Sequence, residues 1–158
     1  MTVIRRYRPG EEPALWQVYF SAIHKVASAD YTPEQINAWA PSDVDPRQWA
    51  ERMRGIAPFV AERDGTIVGY ADVQTDGCID HFFVSPTVAR QGVGSLLMQR
   101  IHEAALSHGT KSLFAEVSIT ARPFFEKWGF EVEETQTVLI RGVALDNFKM
   151  RKRRLTEA

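Results

Sequence analysis

Residues 85–99 read SPTVARQGVGSLLMQ, and Gly92 and Gly94 stand one residue apart where an apolar run gives way to helical spacing. The leading N–H groups of a helix have no intrahelical partner, and the helix dipole puts partial positive charge at that end. An anion is favoured there, phosphate above all. Glycine removes the Cβ that would hold phosphate oxygens off the backbone. Arg90 adds a cation beside it. Two familiar phosphate loops fail on their own residues. A P-loop ends in Gly-Lys-Ser/Thr, and this stretch has no lysine. The dinucleotide fingerprint needs a third glycine at position 97, which is Leu97, and an early βαβ unit. The competing reading is a strand–helix turn whose glycines serve only tight packing.

The run CIDHFFV (78–84) precedes the loop and carries the nearest titratable side chains. Strand alternation puts Cys78, Asp80, Phe82 and Val84 on one face and Ile79, His81 and Phe83 on the other. Asp80 and His81 are therefore expected to point in opposite directions.

The elements that must position these residues can be read along the chain. TVIRRY (2–7) alternates as a strand, and Pro9 and Gly10 break it. Leu15, Val18, Ala22 and Val26 recur at helical spacing. Thr32, Pro33 and Glu34 signal the start of a second helix ending before Pro41, and Asp45-Pro46 starts a short helix carrying Trp49 and Met53. APFVAER (57–63), TIVGYADVQ (66–74) and CIDHFFV then read as three antiparallel strands, separated by the turn pairs Asp64-Gly65 and Asp76-Gly77. A helix with Leu97, Ile101, Ala104 and Ala105 on one face stops at Gly109. SLFAEVS (112–118) is a strand, RPFFEKWG (122–129) a short helix, and EVEETQTVLI and NFKMRKR two closing strands. The pattern is a mixed α+β sheet.

Composition bounds the partners. The chain has 158 residues, 44% hydrophobic and 25% charged, with a net charge of −1. That suits one domain, 1–158, and offers no global field for nucleic acid or membrane. The basic run KMRKRR (149–154) is expected to be a solvated edge strand running into a frayed terminus. No apolar run approaches the roughly 18 residues of a membrane span, and the N-terminus lacks the apolar core of a signal peptide. A cytoplasmic protein is the expectation. The one cysteine, Cys78, excludes an internal disulfide and a cysteine-based zinc site, and no metal is expected.

IDHFFVSPTVARQGVGSLLM (79–98) followed by ARPFFEKWGF (121–130) resembles the GNAT superfamily of N-acyltransferases. The first stretch is similar to the family's acyl-CoA motif, a strand ending in V-x-P and then Q/R-x-x-G-x-G/A. The second is similar to its A-x-P-F-Y-E-K-x-G-F segment. The resemblance covers about residues 3–150. It implies a GNAT fold, with a mostly antiparallel twisted sheet of about seven strands splayed between strands 4 and 5, and about four helices. It implies acetyl-CoA as cofactor, its pyrophosphate on backbone amides of Ala89, Arg90, Gln91, Gly92, Val93, Gly94 and Ser95. The pantetheine arm would lie along Phe82, Phe83 and Val84, with Ser118 and Phe125 close to the cofactor. The amine would enter from the opposite side of the slot.

Two positions depart from the family pattern. Ala89 stands where Q/R is usual, and Phe125 stands at the tyrosine that commonly protonates the departing thiolate. A thiol has a pKa of roughly 8.5 and leaves tolerably unaided. General acid help is worth about 10²–10⁴-fold, so its loss slows the reaction without forbidding it. Asp80, at a position where relatives carry a catalytic acid or His, is the expected base, and Glu116 across the slot is the second. His81 has a suitable pKa but should face away, and Cys78 is expected in the core. The amide of Phe83 or Val84 is the candidate oxyanion donor. On the acceptor side, His24, Tyr31 and Trp39 could line a pocket, and Arg141 could meet an anionic group. The expected activity is N-acetylation of a primary amine of a small molecule, by a monomer or homodimer. The alternatives are a non-catalytic acyl-CoA-binding regulator and a protein N-terminal or lysine acetyltransferase.

Overall fold

The structure, a computed structural model, describes residues 1–155; the last three positions of the expected 1–158 domain lie outside the described residues. Strand β1 (Thr2–Arg6) leads into helices α1 (Glu12–Lys25), α2 (Pro33–Trp39) and α3 (Pro46–Ile56). Strands β2 (Phe59–Arg63), β3 (Thr66–Ala71), β4 (Cys78–Ile79) and β5 (Phe82–Val84) follow. Helix α4 (Val93–Ser107), strand β6 (Leu113–Ser118), helix α5 (Arg122–Lys127) and the hairpin of β7 (Glu131–Ile140) and β8 (Val143–Lys152) complete the chain. The expected mixed α+β, mostly antiparallel architecture is present, with five α-helices and two four-stranded sheets, ordered β1-β2-β3-β5 and β4-β6-β8-β7, among the described residues.

Local chemistry accounts for the starts and turns. Thr32 caps α2 in a reciprocal box, accepting from Gln35 N–H at 3.2 Å while its own N–H donates to the Gln35 carboxamide at 2.8 Å. Asp45 caps α3 through Arg47 N–H at 2.9 Å. The hairpins turn at Asp64-Gly65 and Arg141-Gly142, each pair at positive φ, the two-residue geometry that matches strand twist. The second turn is tighter than the expected loop, so β8 starts at Val143 rather than near Asn147.

Two expectations fail here for topological reasons. The run 78–84 is not one strand. Cys78 and Ile79 pair in parallel with Phe114 and Ala115 of β6, whereas Phe82–Val84 pair antiparallel with β3. The run KMRKRR is not an edge either. Lys149–Lys152 belong to β8, which lies between β6 and β7, and its cations meet carboxylates: Lys149 with Glu134 at 3.2 Å and Arg151 with Glu133 at 3.3 Å.

The sheets separate two apolar cores. One gathers Leu97, Met98 and Ile101 of α4 with Phe59, Leu113 and Phe125. The other gathers Leu15 and Ile23 of α1 with Trp49, Met53, Val60 and Tyr70. Phe59 and Val60, adjacent in β2, feed opposite cores as the two-residue period requires. Among the described residues no helix is long and apolar enough to cross a membrane.

Candidate active site

The site begins where the chain leaves one sheet for the other. β4 stays zipped to β6 only as far as Ile79 and Ala115. The next two amides do not continue that ladder. Asp80 N–H and His81 N–H both donate to Asp72 Oδ1, at 3.0 and 2.6 Å, while Gln74 Nε2 donates to Oδ2 at 2.7 Å. Asp72 is fully buried, and burial raises its pKa to about 6 against the lowering pull of these donors. Its carboxylate thus holds the strand away from β6, and a slot opens between β5 and β6. No signal beyond a lone acid at the end of an apolar strand marks Asp72 in the sequence.

The break also settles which amides face the slot. Asp72 N–H donates to the His81 carbonyl at 3.1 Å, and Ser85 N–H to Val68 at 2.8 Å. With Phe83 opposite Tyr70, residues 81, 83 and 85 turn their polar groups to β3, and those of Phe82 and Val84 face the open edge. Of the two oxyanion candidates, only the Val84 N–H is free.

One cavity of about 660 Å³ opens on the α4 side of the slot. Phe82, Phe83, Val84, Ala89, Arg90, Gly92, Val93, Gly94, Ser95, Ser118 and Phe125 all border it. Gln91 does not, and its carboxamide accepts from Arg63 instead. The first intrahelical bond of α4 runs from Leu96 N–H to Gly92 at 3.1 Å, and the helix has no side-chain cap. The amides of Val93, Gly94 and Ser95 therefore have no helical acceptor. The two glycines serve different needs. Gly92 is left-handed, with φ of 81°, and a Cβ there would point into open space. Gly94 is helical, and a Cβ would lie 3.2 Å from the Phe124 ring, so tight packing accounts for this one. Phe125 is buried, edge-on to Phe130 at 5.0 Å and to Phe82 at 5.7 Å.

A second cavity, of about 820 Å³, opens on the other side. Asp80, Glu116, Tyr31, Trp39 and Cys78 border it, and so does His81, against expectation. The strand break cancels the alternation that would have turned His81 away. Its Nδ1 lies 2.9 Å from the Tyr70 hydroxyl, and burial, helped by Arg52, lowers its pKa to about 3. The imidazole is therefore neutral. Burial raises Cys78 to about 11, so its thiol stays protonated. Asp80 has a loose ion pair with Arg52 at 3.9 Å, a residue the sequence reading did not single out. Glu116 sits opposite Lys149 in register, yet Lys149 turns to Glu134. His24 borders neither cavity. Its Nε2 lies 2.7 Å from the Ala40 carbonyl, and its ring stacks on Phe20 at 3.9 Å. Arg141 likewise stays with the fold, donating to the Ala38 carbonyl at 2.7 Å. Among the described residues no group of His, Cys, Asp and Glu is arranged to hold a metal ion.

The two cavities share Trp39, Phe83 and Ser118 in their walls. The arrangement joins an anion-favouring helix end to a carboxylate-bearing pocket through one slot. A family model for the acetyltransferase (GNAT) domain matches residues 27–152. The chain is 36% identical over 148 residues to the uncharacterized N-acetyltransferase YafP of Escherichia coli, covering 94% of this chain and 93% of that one. Its fold is similar to that of a GCN5-related N-acetyltransferase from Rhodopseudomonas palustris, with a TM-score of 0.92, 29% identity and coverage of 97% and 96% of the two chains. PaiA N-acetyltransferase from Thermoplasma acidophilum, solved with coenzyme A, shares the fold at a TM-score of 0.77 and 17% identity, over 97% of this chain and 99% of that one. With the family model matching most of its length, the chain belongs to the GNAT family of acetyltransferases.

Proposed function

We propose that this protein transfers the acetyl group of acetyl-CoA to the primary amine of a small molecule, by direct attack of the amine on the thioester. The observation that carries the reading is the meeting of the two cavities at Trp39, Phe83 and Ser118. A donor entering from one side and an acceptor from the other would come together there.

The residues present fit the CoA half. The free amides of Val93, Gly94 and Ser95 and the positive end of α4 suit a pyrophosphate. The open edge of β5 at Phe82 and Val84 suits an extended amide-bearing arm, and the cavity wall around Val88, Val93 and Phe124 is apolar. Bound acetyl-CoA supplies the thioester. The Val84 N–H donates to the carbonyl oxygen as it gains charge. An alkylammonium has a pKa of about 10, so the acceptor must lose a proton before it attacks. Asp80 takes that proton directly or through a water, with Glu116 as the second acceptor. Phe125 supplies no proton to the thiolate, which departs on its own modest basicity. One domain carries every part of this constellation.

Release of free CoA from acetyl-CoA, followed over a panel of primary amines, tests the proposal. Amine-dependent release with matching N-acetylated product is the expected result. Tight acetyl-CoA binding with no release on any amine would instead establish the non-catalytic alternative, which Phe125 keeps in play.

A further inference from the structure

Resting on that reading of the site, we infer that the acceptor is an aralkylamine, a primary amine on a short chain bearing a flat aromatic ring. The second cavity has two apolar walls. Tyr31, Trp39, Phe83 and Tyr19 form a continuous aromatic series, with ring centroids 5.5, 6.4 and 4.9 Å apart in that order. Trp39 and Phe83 are the partly exposed members, and the two tyrosines back them. Val138, Ile140 and Leu145 of the β7–β8 hairpin make the aliphatic wall.

The tyrosine hydroxyls are turned into the fold. Tyr19 Oη donates to the Trp39 carbonyl at 3.0 Å. Tyr31 Oη donates to the Asp146 carbonyl at 2.6 Å and accepts from Ile119 N–H at 3.0 Å. Trp39 Nε1 is the one donor of the series without a partner among the described residues. Such a wall rewards a ring and offers little to a sugar, which needs many polar contacts to leave water.

The charges point the same way. Of the three cations around the cavity, Lys149 pairs with Glu134 at 3.2 Å and Arg151 with Glu133 at 3.3 Å, while Arg52 reaches only Asp80. Asp146 accepts from the Thr137 hydroxyl at 2.6 Å. Asp80 has only Arg52 at 3.9 Å, and Glu116 has no ion pair among the described residues. The carboxylates left over flank the slot, where they would hold an ammonium before it loses its proton.

The test measures binding and turnover separately on the full chain. Calorimetry of the CoA-saturated protein compares 2-phenylethylamine with spermidine, glucosamine and a hexapeptide with a free N-terminal alanine. The expected result is that 2-phenylethylamine binds at least about tenfold more tightly, the value of burying one ring. Trp39→Leu and Glu116→Gln should each weaken it about tenfold, and the exposed Glu116 position keeps the comparison informative if the first variant fails to fold. Equal or tighter binding of any polar amine or of the peptide overturns the inference. Release of CoA in the same panel keeps the two claims apart. Preferential binding of 2-phenylethylamine with no CoA release would leave the pocket assignment standing and sink acetyl transfer. Fastest release with a polar amine would do the reverse.

Discussion

Asp80 and its neighbours show how far a single side chain depends on the backbone behind it. Asp80 borders the second cavity with only a long contact to Arg52. Asp80→Asn should lower kcat/KM by about 10²–10⁴-fold and flatten the acid limb of the pH–rate profile. An unaltered profile would transfer the role to Glu116. The buried pair behind it controls stability against pH, with opposite signs. Asp72 has a folded pKa of about 6 against 3.8 unfolded, so it favours the folded state as pH falls through that window. His81 has a folded pKa of about 3 against 6.5, so its contribution is present above pH 6.5 and is lost as pH falls. The limits are on the order of 3 kcal/mol for Asp72 and of 5 kcal/mol for His81, and they act in opposite directions, so the single variants separate them. Urea unfolding at pH 7 and pH 5 checks this. Asp72→Asn should gain on wild type at pH 7 and lose that gain by pH 5, and His81→Gln should flatten the acid loss.

At the scale of elements, the glycine loop and the strand break do separate jobs. Gly92→Val forces a β-branched residue into a left-handed cap, and Gly94→Val drives a side chain into Phe124. Both lie at the free amides of α4. Each should weaken CoA binding at least about tenfold by calorimetry while far-UV dichroism stays unchanged; retained affinity would remove the phosphate cradle from the account. The break depends on Asp72 rather than on glycine. Asp72→Ala strands the buried amide of His81, at a cost of about 1–3 kcal/mol, and takes the acceptor from the partly buried amide of Asp80. Stability should fall by on the order of 3 kcal/mol, and acetyl transfer should fall further than the unfolded fraction explains. Asp72→Asn keeps an acceptor oxygen and should restore most of the activity.

At the scale of the molecule, the aromatic wall of the second cavity and the second sheet are tied by one phenol. The Tyr31 hydroxyl spans from the α1–α2 connection to the backbone of Asp146 in β8 and of Ile119 just after β6, 115 and 88 residues away. Tyr31→Phe removes both bonds. It should cost about 1–3 kcal/mol in urea unfolding and raise KM for the amine more than it lowers kcat. An unchanged KM would mean that the wall is held by packing alone.

The sequence by itself determined the helix starts, the turn pairs and the family. These are local signals: Thr32 and Asp45 cap, Asp64-Gly65 turns, and the glycine loop with ARPFFEKWGF stands at recognisable spacing. It also named about half of the border of the cavity on the α4 side, because Phe82–Ser95 is one continuous stretch. Only the tertiary structure decided which way Asp80 and His81 face. Period-2 reasoning assumes an unbroken strand, and a carboxylate eight or nine residues upstream breaks it. Strand order was hidden for the same reason: β8 lies inside its sheet because β6, far off in sequence, pairs with it. His24 had the right residue type and the wrong surroundings, for Ala40 and Phe20 engage it within the helical layer. Long-range hydrogen bonds and strand pairing are set by partners that no local window contains, and they assemble this slot.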